Sequence, residues 1–126
     1  MNDLIIESTD LTPAIRFIHQ TLRLEIEGES YPEDVAAFYG QVIPTIEQWQ
    51  RSDVTSLEVS INLIYINSSS MKALYRIFDV LDHGRASGKQ VRVQWSYVED
   101  DDVMQELGED FRDRFPELAV DVKVTD

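Results

Sequence analysis

The spacing of apolar and polar residues in the first quarter of the chain predicts strands. Short apolar runs at Leu4–Ile6 and Ala14–Ile18 predict two of them. At positions 22–27 apolar and charged residues alternate, which predicts a third, half-buried strand. The polar residues at positions 19–21 suit a hairpin connection between the second and third strands.

A helical spacing of apolar residues begins at Val35 and continues to Trp49. Ser30, followed three residues later by Glu33, predicts a capping box at the start of this helix. Pro44 lies inside the run and predicts a kink, because proline removes one backbone hydrogen bond. The helix is expected to end near residues 51–53.

The strongest strand signal lies at positions 57–66, where apolar residues alternate with polar ones at first. Ile64 and Ile66 then add apolar side chains to the polar face, which predicts a strand buried on both faces at its C-terminal end. The polar residues 67–70 separate this strand from a second amphipathic helix that starts near Met71 and ends near Gly84 and Gly88.

The last quarter of the chain repeats the alternation of strand and helix. Positions 91–97 predict a strand, the acidic run 99–102 opens a third helix that stops at Pro116, and positions 118–124 predict a final strand. Strand–helix–strand connections favour parallel neighbours, whereas the leading hairpin adds antiparallel pairs. We therefore expect one α/β domain over residues 1–126, with a mixed β-sheet and about three helices packed on it.

Composition narrows the possible functions. The 126 residues include 24 acidic and 11 basic side chains, for a net charge of −13, so nucleic acid and anionic membrane surfaces are not expected partners. No apolar run is long enough to span a bilayer, no signal peptide is visible, and a cytoplasmic location is the default expectation. The chain has no cysteine, which excludes thiolate chemistry and disulfides.

The junction between the predicted central strand and the second helix is the most informative stretch for function. Ligand sites in open α/β sheets lie beyond the carboxyl ends of strands, and helix N-termini favour negative charge. The serine run at positions 68–70 lies at such a junction, so it is a candidate for phosphorylation, while helix capping by Asn67 or a serine explains the same residues more simply. Tyr75 lies off the apolar stripe and is expected to be exposed beside this run as part of a partner surface.

Catalytic and metal-dependent functions have weaker support. His19 and His83 are the available near-neutral bases, and neither lies in a recognised nucleophile motif, so a small hydrolase built on Ser68 is the least favoured alternative. The acidic run 99–102 lacks the glycine and glutamate spacing of an EF-hand loop and is better explained by helix capping. No cofactor or metal is expected.

Four stretches of the sequence, and a fifth near its C-terminal end, together resemble the SiaC family of bacterial regulatory phosphoproteins. These stretches span nearly the whole chain. They are Thr12-Pro13-Ala14-Ile15, Gly28-Glu29-Ser30-Tyr31-Pro32-Glu33, Tyr39-Gly40-Gln41-Val42-Ile43, Leu63-Ile64-Tyr65-Ile66-Asn67-Ser68-Ser69-Ser70-Met71-Lys72-Ala73 and Glu109-Asp110-Phe111-Arg112.

The resemblance implies a STAS-like fold, as in anti-sigma-factor antagonists, and a partner-switching circuit without enzymatic activity of its own. It implies a GHKL-type protein kinase that phosphorylates the chain and a PP2C-type phosphatase that reverses this. The unphosphorylated form is then expected to bind and activate an effector, a diguanylate cyclase or another signalling protein, and so to control cyclic-di-GMP, aggregation and biofilm formation.

The resemblance also assigns the site. The family's acceptor is a threonine directly after the asparagine, and the residue at that position here is Ser68, with Ser69 and Ser70 as neighbouring alternatives. The predicted partner-binding residues are Asn67, Ser68, Ser69, Ser70, Lys72 and Tyr75. A constitutive scaffold without a switch is the alternative function.

Overall fold

The fold is built on one six-stranded mixed sheet whose strand order follows the sequence, β1-β2-β3-β4-β5-β6. The computed structural model describes residues 2–125. Strands β1 to β3 are antiparallel, and β3 to β6 are parallel. The strands are β1 (Leu4–Ile6), β2 (Ala14–Ile18), β3 (Arg23–Ser30), β4 (Ser56–Ile66), β5 (Gln90–Tyr97) and β6 (Val120–Val124). The predicted mixed α/β sheet is confirmed.

Each parallel connection contains one helix: α1 (Val35–Arg51), α2 (Ser68–Ala86) and α3 (Asp102–Arg114). Because the three crossovers move along the sheet in the same direction and share the usual right-handedness, the helices lie on one face. The apolar strand residues facing them form one buried core with the helices. The other face of the sheet carries polar side chains such as Glu58, Arg92 and Gln94, all of them exposed.

The prediction that β4 is buried on both faces at its C-terminal end is wrong. Ile64 is 62% exposed and Tyr65 is 49% exposed. The reason is a β-bulge: Leu63 pairs with Gly28 and Tyr65 pairs with Glu29, which leaves Ile64 as an extra residue in β4. The bulge resets the alternation, so that Ile66 turns back into the core while Ile64 and Tyr65 face solvent.

The predicted start of α1 is also wrong. Ser30 is the last residue of β3, where it pairs with Ile66, and its side chain is fully buried. Asp34 caps the helix instead, with its side chain accepting a hydrogen bond of 3.0 Å from the Ala37 N–H. Pairing with β4 therefore extends the strand through the position where the sequence pattern placed a cap. The predicted end of α1 is confirmed, since the helix ends at Arg51.

Two helical glycines allow helices to approach tryptophans in the core. A Cβ atom on Gly84 would lie 2.7 Å from the Trp49 ring, and one on Gly108 would overlap the Trp95 ring. The predicted end of α2 near Gly84 and Gly88 is confirmed: the helix ends at Ala86, between the two glycines, and Gly88 just beyond it adopts φ +110°. The Trp95 indole N–H donates to the Met104 carbonyl over 3.0 Å, which ties α3 to β5.

Candidate functional site

The serine run occupies the first turn of α2, directly after the carboxyl end of β4. Asn67 is the N-cap, and its side-chain oxygen accepts a hydrogen bond of 2.8 Å from the Ser70 N–H. The helix thus begins at Ser68, three residues before the predicted Met71, because asparagine provides the acceptor that the first turn requires. The Asn67 N–H donates to the Ser30 carbonyl at 2.9 Å, which fixes the junction to the end of β3.

The three serines differ in their access to solvent. Ser68 and Ser69 are exposed, whereas Ser70 is fully buried. A kinase needs its acceptor hydroxyl at the surface, so this conformation offers Ser68 and Ser69 but not Ser70. The first N–H groups of a helix lack intrahelical acceptors and carry partial positive charge, which places both exposed hydroxyls beside favourable sites for an anion.

A cluster of buried hydroxyl groups lies beneath the serine run. The Ser30 and Tyr39 hydroxyls are 2.6 Å apart, and both residues are at most 2% exposed. The Ser70 hydroxyl faces the same phenol but does not form a hydrogen bond with it. Burial raises the pKa of Tyr39 above its ordinary value, and the Ser30 and Ser70 hydroxyls oppose this effect. The sequence pattern does not reveal this cluster, because Ser30 and Glu33 have the spacing of a helix-capping box.

Lys72 and Tyr75, the remaining predicted partner-binding residues, have different surroundings. Lys72 is exposed one turn beyond Ser68, in the groove between α1 and α2 that Ser69 and Arg76 also line. Tyr75 is half-buried: its ring stacks on Phe111 of α3 with centroids 4.4 Å apart. The prediction that Tyr75 is exposed beside the serine run is therefore wrong, and its ring joins α2 to α3.

The two histidines lie at the opposite end of the sheet from Ser68. His83 is fifteen residues further along α2, which corresponds to about 22 Å at 1.5 Å per residue. His19 lies in the connection before β3, level with the start of β4, and the eight residue steps from Glu58 to Ile66 span about 26 Å. Neither imidazole can act as a general base for the Ser68 hydroxyl in this fold.

The acidic run before α3 caps that helix, as predicted. Asp101 is the N-cap residue, and its side chain accepts a hydrogen bond of 3.1 Å from the Met104 N–H. Asp102 follows in the first turn, where its charge suits the helix dipole.

Within residues 2–125, no helix combines the length and the apolar character needed to cross a bilayer.

Comparison with known proteins agrees with this architecture. The family model described as SiaC family regulatory phosphoprotein matches residues 6–125. An uncharacterised protein of Pseudomonas aeruginosa strain UCBPP-PA14 is 38% identical over 113 residues, which cover 90% of both chains.

Crystal structures of SiaC from Pseudomonas aeruginosa have the same fold. The structure of apo-SiaC has a TM-score of 0.90 at 36% identity, over 98% of this chain and 99% of that chain. SiaC in complex with the diguanylate cyclase SiaD, of which it is the activator, has a TM-score of 0.93 at 34% identity, over 98% of this chain and 100% of that chain. On sequence and structure together, the chain belongs to the SiaC family of regulatory phosphoproteins.

Proposed function

We propose that this protein is a switch controlled by reversible phosphorylation of Ser68, and that its unphosphorylated form binds and activates a diguanylate cyclase. A GHKL-type kinase would add the phosphoryl group, and a PP2C-type phosphatase would remove it, in the cytoplasm. The observation that carries the proposal is the exposed hydroxyl of Ser68 at the first position of a helix capped by Asn67.

The surroundings of Ser68 suit a phosphoryl group. Phosphorylation adds a charge of about −1.5 to −2 and three strong acceptor oxygens. At the first turn of α2 this charge interacts favourably with the helix dipole, an effect of about 1 kcal/mol. Lys72 follows four residues later, the spacing at which side chains on a helix surface are neighbours, and its ammonium group is a suitable partner for the phosphate. The modified state is therefore compatible with the folded chain.

The family supports the regulatory part of the proposal. Membership of a family of regulatory phosphoproteins makes this chain a regulator and not an enzyme. SiaC of Pseudomonas aeruginosa is the activator of the diguanylate cyclase SiaD, with which it forms a complex. Extending that role to this chain gives the proposed output, control of cyclic-di-GMP and of the aggregation and biofilm formation that depend on it.

Serine in place of the threonine that the family resemblance implies at this position retains the same chemistry. Both residues present one hydroxyl, and serine differs by the loss of a methyl group that the acceptor does not use. The two other serines of the run are separated from Ser68 by geometry: Ser70 is buried, and Ser69 is turned towards the groove between α1 and α2.

Intact-mass analysis after incubation with the kinase and ATP tests the acceptor. We expect the wild-type chain to gain one phosphoryl group and Ser68→Ala to gain none. Ser69→Ala is the matched control, because its hydroxyl is also exposed in the same turn, and it should be modified normally. Phosphorylation of Ser68→Ala to the wild-type extent would contradict the assignment.

Binding of the purified cyclase tests the switch itself. Ser68→Asp introduces a permanent negative charge and should weaken the complex about tenfold or more, whereas Ser68→Ala should bind as the wild type does. Equal binding of the cyclase by both variants would favour a constitutive scaffold without a switch.

A further inference from the structure

A shallow polar cavity lies on the face of the sheet opposite the helices. It extends across β3 to β6 and has a volume of about 510 Å³, within the range of about 300–1,000 Å³ that is typical of small-molecule sites. Its charged lining residues are Arg23, Glu58, Arg92, Asp121 and Lys123. Because the three helices pack on the other face, this cavity is open to solvent.

The strand register assembles the cavity from residues that are distant in the sequence. Arg23, Glu58 and Arg92 lie side by side across β3, β4 and β5. Every second residue of a strand faces the same side, so Ser60 and Gln94 follow in the next row and present a hydroxyl and an amide beside the charged groups. These groups are therefore held on the strands of the sheet, which position side chains more precisely than loops do.

The cavity is separate from the serine run. Ser60, which lines the cavity, lies six residues before Ile66 at the end of β4, a distance of about 20 Å along the strand. Ser68 follows at the start of α2, on the helix-covered side of the sheet. A ligand in the cavity and a phosphoryl group on Ser68 can therefore be present at the same time.

The cavity is locally positive, although the chain carries a net charge of −13. Its lining contains three cationic and two anionic side chains, which gives a formal charge of +1. Arg23 lies 3.4 Å from the Glu58 carboxylate, and Lys123 lies 3.3 Å from that of Asp121. Arg92 forms no ion pair within residues 2–125. Its guanidinium group is therefore available for an anionic ligand.

The lining suits a guanine nucleotide. The planar guanidinium group of Arg92 matches phosphate oxygens, with which it can form two parallel hydrogen bonds. An ionised carboxylate such as Asp121 only accepts hydrogen bonds, and the N1–H and N2–H groups of guanine are a pair of donors that it can bind together. Adenine lacks this pair of donors, so a carboxylate distinguishes the two bases. Ser60 and Gln94 can form hydrogen bonds with the ribose and with the remaining base atoms.

Charge favours a cyclic dinucleotide over a nucleoside triphosphate. Cyclic-di-GMP carries a single negative charge on each of its two phosphodiester groups, and these groups are well separated. GTP concentrates a larger charge on three adjacent phosphates. The cavity offers a formal charge of only +1, and the remainder of the chain repels anions. The ligand with the smaller and more widely spaced charge is therefore the better match.

We propose that this cavity binds cyclic-di-GMP, the product of the cyclase, an inference that rests on the proposed function for the source of the ligand. Arg92 binds a phosphodiester group, and Asp121 binds the Watson–Crick edge of a guanine. The activator then senses the product of the enzyme that it activates, at a site separate from the phosphorylated residue.

Calorimetric titration of the isolated chain with cyclic-di-GMP tests the site without the kinase or the cyclase. The wild type should show saturable binding, and Arg92→Gln should weaken it about tenfold or more, because a charged contact with phosphate is lost. Arg92 is exposed, so the variant should fold, which circular dichroism checks. Arg112→Gln is the matched control: this arginine is exposed on α3, outside the cavity, and its loss should leave binding unchanged.

Base specificity gives a second measurement. Cyclic-di-AMP has the same phosphodiester ring but lacks the pair of donors, so the wild type should bind it about tenfold or more weakly than cyclic-di-GMP. Asp121→Asn should reduce this discrimination, because the amide replaces one of the two acceptor oxygens by a donor. GTP is the third probe, and tighter binding of GTP than of cyclic-di-GMP would overturn the proposal by identifying the substrate of the cyclase as the ligand.

The outcomes separate this proposal from the phosphorylation switch. Absence of binding by the wild type at about 1 mM cyclic-di-GMP would overturn the cavity proposal and leave the switch standing. Wild-type affinity in Arg92→Gln, or equal affinity for the two cyclic dinucleotides, would also overturn it. Saturable, guanine-specific binding that Arg92→Gln weakens would support the site even if Ser68→Asp failed to release the cyclase, and only the proposed switch would then be wrong.

Discussion

Removal of the Tyr39 hydroxyl tests whether the buried cluster beneath the serine run stabilises the fold. Tyr39→Phe keeps the ring, so no cavity forms, but it leaves the Ser30 hydroxyl buried without its partner at 2.6 Å. A buried polar group that loses its hydrogen bond costs about 1 to 3 kcal/mol. We expect the free energy of unfolding to fall by about 2 kcal/mol, which is a shift of about 1 M in the urea midpoint for a slope of about 2 kcal/mol/M.

A double-mutant cycle separates this hydrogen bond from other effects. Ser30→Ala should cost less than Tyr39→Phe, because the Ser70 hydroxyl already faces the phenol and can replace the lost partner. The double variant should be more stable than the sum of the single changes predicts, since no unpaired hydroxyl remains between the two residues, and the coupling should be about 1 kcal/mol. Fluorescence of the buried Trp49 and Trp95 reports unfolding. Additivity within about 0.3 kcal/mol would refute the reasoning.

The pH dependence of stability and the cap of α2 give two further predictions. Burial raises the pKa of Tyr39 above 10.0, so the unfolded chain loses the phenolic proton at a lower pH than the folded chain does. The contribution of Tyr39 to the free energy of unfolding is therefore fully present below pH 10.0 and is lost as the pH rises towards the folded pKa. Urea midpoints measured between about pH 8 and about pH 11 should show this fall in the wild type, and it should be smaller in Tyr39→Phe. Asn67→Ala should lower the free energy of unfolding by about 1 kcal/mol, whereas Asn67→Asp keeps the acceptor and should not; equal losses in urea titration would contradict the capping role.

The sequence predicts the elements of this fold well, because their signals are local. Apolar and polar residues alternate in β3 and β5, apolar residues have helical spacing in α1 and α2, and acidic residues cap α3. Each of these patterns can be recognised from residues that are close together in the sequence. The start of α1 was misplaced because Ser30 and Glu33 make a convincing capping pattern, and only pairing between β3 and β4 shows that the strand continues through Ser30. Tertiary pairing outweighed the local signal there.

The candidate site was located from the sequence, but its immediate surroundings were not. Asn67 and the serine run stand out as polar residues after an apolar strand, and the family resemblance distinguishes Ser68. The bulge at Ile64 has no local signature, since an apolar residue at that position fits a buried strand equally well. Burial of Ser70 likewise depends on α1, which brings Tyr39 against the first turn of α2. These features arise from contacts between distant parts of the chain.

The hydrogen bond from the Asn67 N–H to the Ser30 carbonyl places the serine run at the end of the most interior strand pair of the sheet. The pairing of β3 and β4 extends from Arg23 and Glu58 to Ser30 and Ile66, and the amides of such strands exchange with solvent only in rare, near-global opening events. A phosphoryl group on Ser68, the residue after Asn67, would be attached to backbone that these hydrogen bonds hold rigid. In the proposed switch, phosphorylation of Ser68 would therefore change the charge of a rigid surface, and amide exchange along β4 should be nearly the same in the phosphorylated and the unphosphorylated protein.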